Sequence, residues 1–111
     1  MDVIFTNHDL LLNNPSVDCS EIAEELKKIF NEKGYEGSRL LTFKQKGKSK
    51  LNGRINVVEF GNKVQYSYHT VLSYKNYIID PRFKEEPILE SEYRAMLKEL
   101  NPEIEIEEVW E

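Results

Sequence analysis

The sequence predicts an α+β fold, and three observations carry that prediction. Apolar residues recur at helical spacing near the start of the chain and again near its end. Between these stretches lie short runs rich in β-branched and aromatic residues, separated by Gly and Asn turn signals. The order is therefore helix, antiparallel β-meander, helix. At 111 residues the chain is a single domain, residues 1–111, large enough for one core without disulfides or metal clips.

The first helix opens after Asp18, a candidate N-cap, with Glu21 three residues later in a capping-box arrangement. Ile22, Ala23, Leu26, Ile29 and Phe30 form its apolar stripe, and Gly34 supplies its stop. Before it, residues 3–6 (VIFT) read as a short strand or arm, and the following NHDLLLNNPS as a loop that contains His8. Arg39–Lys44 and Arg54–Phe60 read as strands, and a turn at Gly61-Asn62 leads into one long strand that runs to Tyr74. Between the first two strands, KQKGKSKLNG is a basic loop. It is a poor phosphate cradle, because no helix N-terminus follows it. A second hairpin arm ends at Asp80-Pro81, where proline removes the next backbone donor. The second helix is expected from about Ser91, as N-cap, to Leu100, with Tyr93, Met96, Leu97 and Leu100 as its stripe and Asn101-Pro102 as its stop. The tail IEIEEVW alternates Ile with Glu and is expected to add a charged edge strand.

Composition narrows the function classes. No apolar run approaches the roughly 20 residues of a membrane span, and Met1 is not followed by the basic start, apolar run and small-residue site of a secretory signal. The single cysteine, Cys19, excludes an internal disulfide and a Cys-rich zinc site. Net charge is −5, but residues 1–37 sum to −5, residues 38–83 to +7 and residues 84–111 to −7. This distribution favours a basic sheet face neutralised by acidic flanks, with a protein docking surface as the alternative. A pI near 5.1 is wrong for a dedicated nucleic-acid binder, so no nucleic-acid partner is expected.

Three residue types suited to acyl chemistry stand at defined places. Cys19 opens a helix on its apolar side, where dipole and amide donors favour the thiolate, although a cysteine on such a stripe also serves as a small core residue. His69 lies on the long strand and Asp80 closes the arm that follows. A two-residue turn at Lys75-Asn76 would pair Tyr74 with Tyr77, Leu72 with Ile79 and Val71 with Asp80. His69 would then share a face with Asp80 one diagonal step away, a Cα spacing of about 7 to 8 Å that a hydrogen bond can bridge. A one-residue slip would put them on opposite faces. In this register the His69 face carries Gln65, Ser67, Val71 and Ser73, and Tyr66, Tyr68, Thr70, Leu72 and Tyr74 lie opposite. The small residues of the His69 face are expected to let the Cys19 helix approach on that side. His8 is the competing histidine, with no patterned strand beneath it.

A cysteine opening an amphipathic helix, then a meander, then the hairpin His69-Thr70-Val71-Leu72 followed after six residues by Ile79-Asp80-Pro81, resembles the papain-like fold toxin domains at the C-termini of bacterial polymorphic toxins. The likeness covers roughly residues 13–100. It implies a papain-like minimal fold, with the Cys-bearing helix packed on the β-meander and a second, C-terminal helix. It also implies Cys19 as nucleophile, His69 as base and Asp80 as the group that fixes the imidazole tautomer, with no cofactor or metal. Papain-like peptidases carry a glutamine six residues before the cysteine; Asn13 stands there, beside Asn14, and these two residues with the Cys19 backbone N–H are the oxyanion candidates. The order Cys, His, Asp is shared with arylamine N-acetyltransferases and transglutaminases.

The expected function is a cysteine hydrolase of amide bonds, a protein deamidase or peptidase. The resemblance makes it the effector domain of a larger secreted bacterial polypeptide that acts on a protein substrate in the target cell cytoplasm, or a cytoplasmic protein if free-standing, with an immunity protein as partner. The alternatives are an acyltransferase or transglutaminase-like enzyme, and a non-catalytic protein-binding module.

Overall fold

The computed structural model describes residues 19–111. Helix α1 (Cys19–Glu32) is followed by β1 (Arg39–Gln45), β2 (Ile55–Glu59), β3 (Asn62–Tyr66), β4 (Tyr68–Tyr74), β5 (Tyr77–Ile79) and β6 (Ile88–Leu89). Helix α2 (Glu90–Leu100) and strand β7 (Ile106–Trp110) complete the order. The fold is α+β, with an N-terminal and a C-terminal helix on antiparallel strands, as the sequence predicts.

Strand order is not that of a simple meander. A five-stranded sheet runs β6-β5-β4-β1-β7, and β2 and β3 form a separate two-stranded sheet. The long strand expected through His69 breaks at Ser67, so β3 leaves with β2 while β4 pairs with β1, Leu41 opposite Val71 and Phe43 opposite His69. β7 pairs along the other side of β1 and forms the expected edge strand.

The five-stranded sheet is buried on both faces. Leu40, Leu72, Tyr74 and Ile79 point to one side and receive the α1 stripe of Ile22, Ala23, Leu26 and Phe30. Leu41, Phe43, Val71 and Ile78 point to the other and meet Tyr93 and Leu97 of α2 together with Ile55 and Val57 of β2. Period-2 alternation supplies both faces from the same strands. Burying each of these aliphatic side chains contributes about 1.5 to 3 kcal/mol.

Helix ends follow local chemistry. Gly34, at φ 84°, takes the left-handed position after α1, and the Tyr35 N–H donates to the Phe30 carbonyl at 2.8 Å. The Tyr35 ring lies 5.4 Å from that of Phe30, the apolar contact that accompanies a Schellman ending. The expected cap at Asp18 lies outside the described residues. α2 starts two residues earlier than expected: Leu89, not Ser91, holds the N-cap position and makes no side-chain cap hydrogen bond. Its far end is the expected one, with the Asn101 N–H donating to Lys98. Asn101 also clamps β2, its Oδ1 accepting from the Asn56 N–H at 2.8 Å and its Nδ2 donating to the Asn56 carbonyl at 3.0 Å.

The basic loop and the acidic tail meet across β1 and β7. Lys44 pairs with Glu107 at 2.6 Å, Lys46 with Glu105 at 3.4 Å and Lys50 with Glu111 at 3.8 Å. On the other face of β7, Arg94 of α2 forks onto Glu108 at 2.8 and 2.9 Å. That hydrogen-bonded carboxylate raises the guanidinium pKa further above its ordinary value. No described helix is long and apolar enough to cross a membrane.

Candidate active site

The hairpin β4–β5 sets the site. Lys75 and Asn76 both adopt positive φ, 48° and 69°, the mirror-image turn whose twist matches paired strands. Tyr74 consequently pairs with Tyr77 and Leu72 with Ile79, the register on which the expected His69–Asp80 contact depends. Asp80 follows β5 and opens a turn in which the Phe83 N–H donates to the Asp80 carbonyl at 2.9 Å. Pro81 occupies the second turn position, for which its fixed φ is suited. The strand thus ends where the carboxylate is needed.

His69 and Asp80 meet. Nε2 of His69 lies 2.8 Å from Oδ2 of Asp80, with His69 1% and Asp80 7% exposed. The same Oδ2 accepts the Tyr93 hydroxyl at 2.7 Å. Above the imidazole lies the Tyr66 ring, 6.4 Å away between centroids and inclined by only 5°. The Tyr66 hydroxyl donates to Oε1 of Glu59, and Arg82 lies 3.7 Å from the other carboxylate oxygen of Glu59. Five side chains from β2, β3, β4, the β5 end and α2 therefore converge: Glu59 accepts from Tyr66, whose half-buried ring stacks on His69, and His69 and Tyr93 meet on Asp80, with Arg82 beside Glu59. In such a low-dielectric setting each hydrogen bond is stronger than in water, and each one left unmade costs more.

Two expectations about faces change. Unbroken alternation places Tyr66 on the sheet face opposite His69, but the bend at Ser67 resets it and brings the two rings together. α1 does not lie on the His69 face either. Its stripe covers the greasier face of Leu72 and Tyr74, because an amphipathic helix buries more apolar area there, and the His69 face is taken by α2 and β2. The first turn of α1 nevertheless starts beside the His69 strand, where Ser20 Oγ donates to the Tyr68 hydroxyl at 3.4 Å. Cys19 is the first residue of α1; its side chain lies outside the described set, as do Asn13, Asn14 and His8.

Between α1 and the strand ends is a small cavity of about 10 Å³ lined by Ile22, Ala23, Glu59, Asp80 and Arg82 among others. Among the described residues no group of three or more His, Cys, Asp or Glu is placed to hold a metal ion.

No family model, curated protein or solved structure matches this chain.

Sequence reasoning missed Glu59, Tyr66, Arg82 and Tyr93 as parts of the site. Two of them left a signal. Glu59 continues the inward parity of Ile55 and Val57, and a charge at a buried position calls for a partner. Tyr93 stands in an apolar stripe where phenylalanine would pack equally well, and a buried tyrosine hydroxyl usually finds an acceptor.

Proposed function

We propose that this chain is a cysteine-dependent hydrolase of amide bonds, with Cys19 as nucleophile, His69 as base and Asp80 as the group that holds the imidazole. The observation that carries this reading is the 2.8 Å contact between His69 Nε2 and Asp80 Oδ2, in the hairpin register set by the two-residue turn at Lys75-Asn76. With Nε2 committed to Asp80, Nδ1 is the ring atom that takes the thiol proton. The Cys19 sulfur then attacks the amide carbonyl carbon, forming a C–S bond as the carbonyl pair moves onto oxygen. Collapse breaks the C–N bond, and His69 returns the proton to the leaving nitrogen. Water, losing a proton to His69, cleaves the resulting thioester and restores the thiol. A glutamine side chain releases ammonia by this route, and a peptide or isopeptide releases an amine. An amine or alcohol in place of water gives the acyltransferase alternative.

The resemblance further supports the effector domain of a larger secreted bacterial polypeptide, a protein substrate in the target cell cytoplasm and an immunity protein as second partner. A non-catalytic binding module is favoured by one specific observation: His69 is 1% exposed, the burial of a structural polar core.

Alkylation of Cys19 by iodoacetamide, followed by mass spectrometry at mildly acidic pH, separates the two readings. The hydrolase requires reaction roughly tenfold faster than a free thiol, because only the thiolate reacts, and loss of that advantage in His69→Ala. Reaction no faster than a free thiol, unchanged by His69→Ala, excludes the activated pair.

A further inference from the structure

Asp80 is held from two sides, and the second side is not part of the proposed catalytic group. His69 Nε2 and the Tyr93 hydroxyl end on the same carboxylate oxygen, at 2.8 and 2.7 Å. Tyr93 is 0% exposed, so its hydroxyl proton has no recourse to bulk water. Its ring is fixed by Phe43, 5.6 Å away between centroids, and by the edge of Phe83 at 5.8 Å. A carboxylate with only one donor rotates about its Cβ–Cγ bond at little cost, whereas one with a second, rigidly mounted donor does not. α2 is itself anchored to the hairpin, with Ser73 Oγ donating to Glu90 at 2.6 Å and the Glu90 N–H to the Asn76 carbonyl at 2.9 Å. The helix therefore aims the Tyr93 hydroxyl as a rigid extension of the hairpin that carries His69 and Asp80.

We infer that Tyr93 is a positioning residue: it locks the Asp80 carboxylate, and through it the Nε2–H tautomer and orientation of His69. The consequence for Cys19 reactivity rests on the hydrolase reading; the effect on His69 does not. Orienting partners of this kind, one bond removed from the reacting groups, typically matter by one to two orders of magnitude where a ligand or base must be held in one geometry.

The test is Tyr93→Phe, which keeps the ring and its packing and removes one oxygen. Proton NMR follows the Nε2 proton of His69 and its exchange with water, and iodoacetamide follows Cys19. Exchange in Tyr93→Phe is expected to rise roughly tenfold, the effect of losing a charge-assisted hydrogen bond, and Asp80→Asn to raise it at least as far. Cys19 alkylation is expected to slow several-fold relative to wild type. A merely structural Tyr93 would lower the melting temperature yet leave the Nε2 proton unchanged, and that result overturns the inference. If wild-type Cys19 shows no activation, the hydrolase reading falls, while the exchange measurement still decides the role of Tyr93. If Tyr93→Phe does not fold, Phe43→Leu, which loosens the packing behind the ring, must accelerate exchange in the same direction or the inference fails.

Discussion

Asp80 accepts from two donors that are themselves almost wholly buried, His69 and Tyr93, so its removal is felt twice. Asp80→Ala is expected to cost about 2 to 4 kcal/mol, measured by urea denaturation, because both donors lose the same acceptor in a dry site. Asp80→Asn keeps an acceptor oxygen and is expected to cost less than half as much. Equal costs would mean that charge and shape, not the shared acceptor, hold the site. Phe60 is the opposite case, a residue whose local conformation works against it. It sits at φ 51° at the tip of the β2–β3 hairpin, and its ring is 57% exposed. Left-handed backbone costs an L-residue with a Cβ roughly 1 to 2 kcal/mol, and turns of this kind favour Asn or Gly. Its ring is 5.9 Å from the Arg82 guanidinium, and its backbone N–H donates to the Arg82 carbonyl at 2.7 Å, a bond that any residue at this position keeps. Phe60→Asn is accordingly expected to raise stability by about 0.5 to 1 kcal/mol. A lower urea midpoint would show that the ring over Arg82 outweighs the backbone strain.

At the scale of elements, legibility follows the range of the forces involved. The β4–β5 register could be read because Lys75-Asn76 specifies it within four residues, and a period-2 strand admits no half-measures. The α1 stripe and its Gly34 ending were legible for the same local reason. The break at Ser67 was not, since neither Gly nor Pro marks it and the residues on both sides are good strand formers. That one bend decides whether Tyr66 faces His69 or turns away from it. The pairing of β1 with β4, across the whole β2–β3 excursion, is likewise a tertiary outcome that no local signal encodes. The N-cap of α2 is not legible because Ser91 looks like a cap by composition, whereas the Glu90 N–H is already satisfied by the Asn76 carbonyl, which fixes the N-cap two residues earlier, at Leu89. Leu89 leaves that N-terminus without a side-chain acceptor. Leu89→Ser is expected to stabilise the protein by about 0.5 to 1 kcal/mol through the missing cap, read as a higher melting temperature. No gain would mean that the Leu89 side chain, 41% exposed, contributes more at the β6 edge than its exposure suggests.

Over the whole molecule, the basic middle segment and the acidic tail meet at three ion pairs. Lysines of β1 and the following loop find their counter-ions on β7, on the residue before it and on the C-terminal residue, three pairs along one edge of the sheet. Lys46 and Lys50 keep much of their side chains in water, 66% and 42% exposed, while sharing the tail's carboxylates. The pairs differ in worth. Lys44 is the only one of the three lysines whose side chain is largely shielded, 14% exposed, and exposed pairs contribute about 0 to 1 kcal/mol each. The combined variant Glu105→Gln, Glu107→Gln, Glu111→Gln is therefore expected to lose about 1 kcal/mol at low ionic strength, mostly from the Lys44 pair. High salt, with a screening length of about 3 Å, should erase most of that difference. The same variant uncovers a basic face and should bind a cation-exchange resin that the wild type, at net charge −5, does not retain. A loss several times larger and indifferent to salt would assign the effect to damaged β1–β7 pairing, and the acidic tail would then be a structural strand first and a counter-ion second.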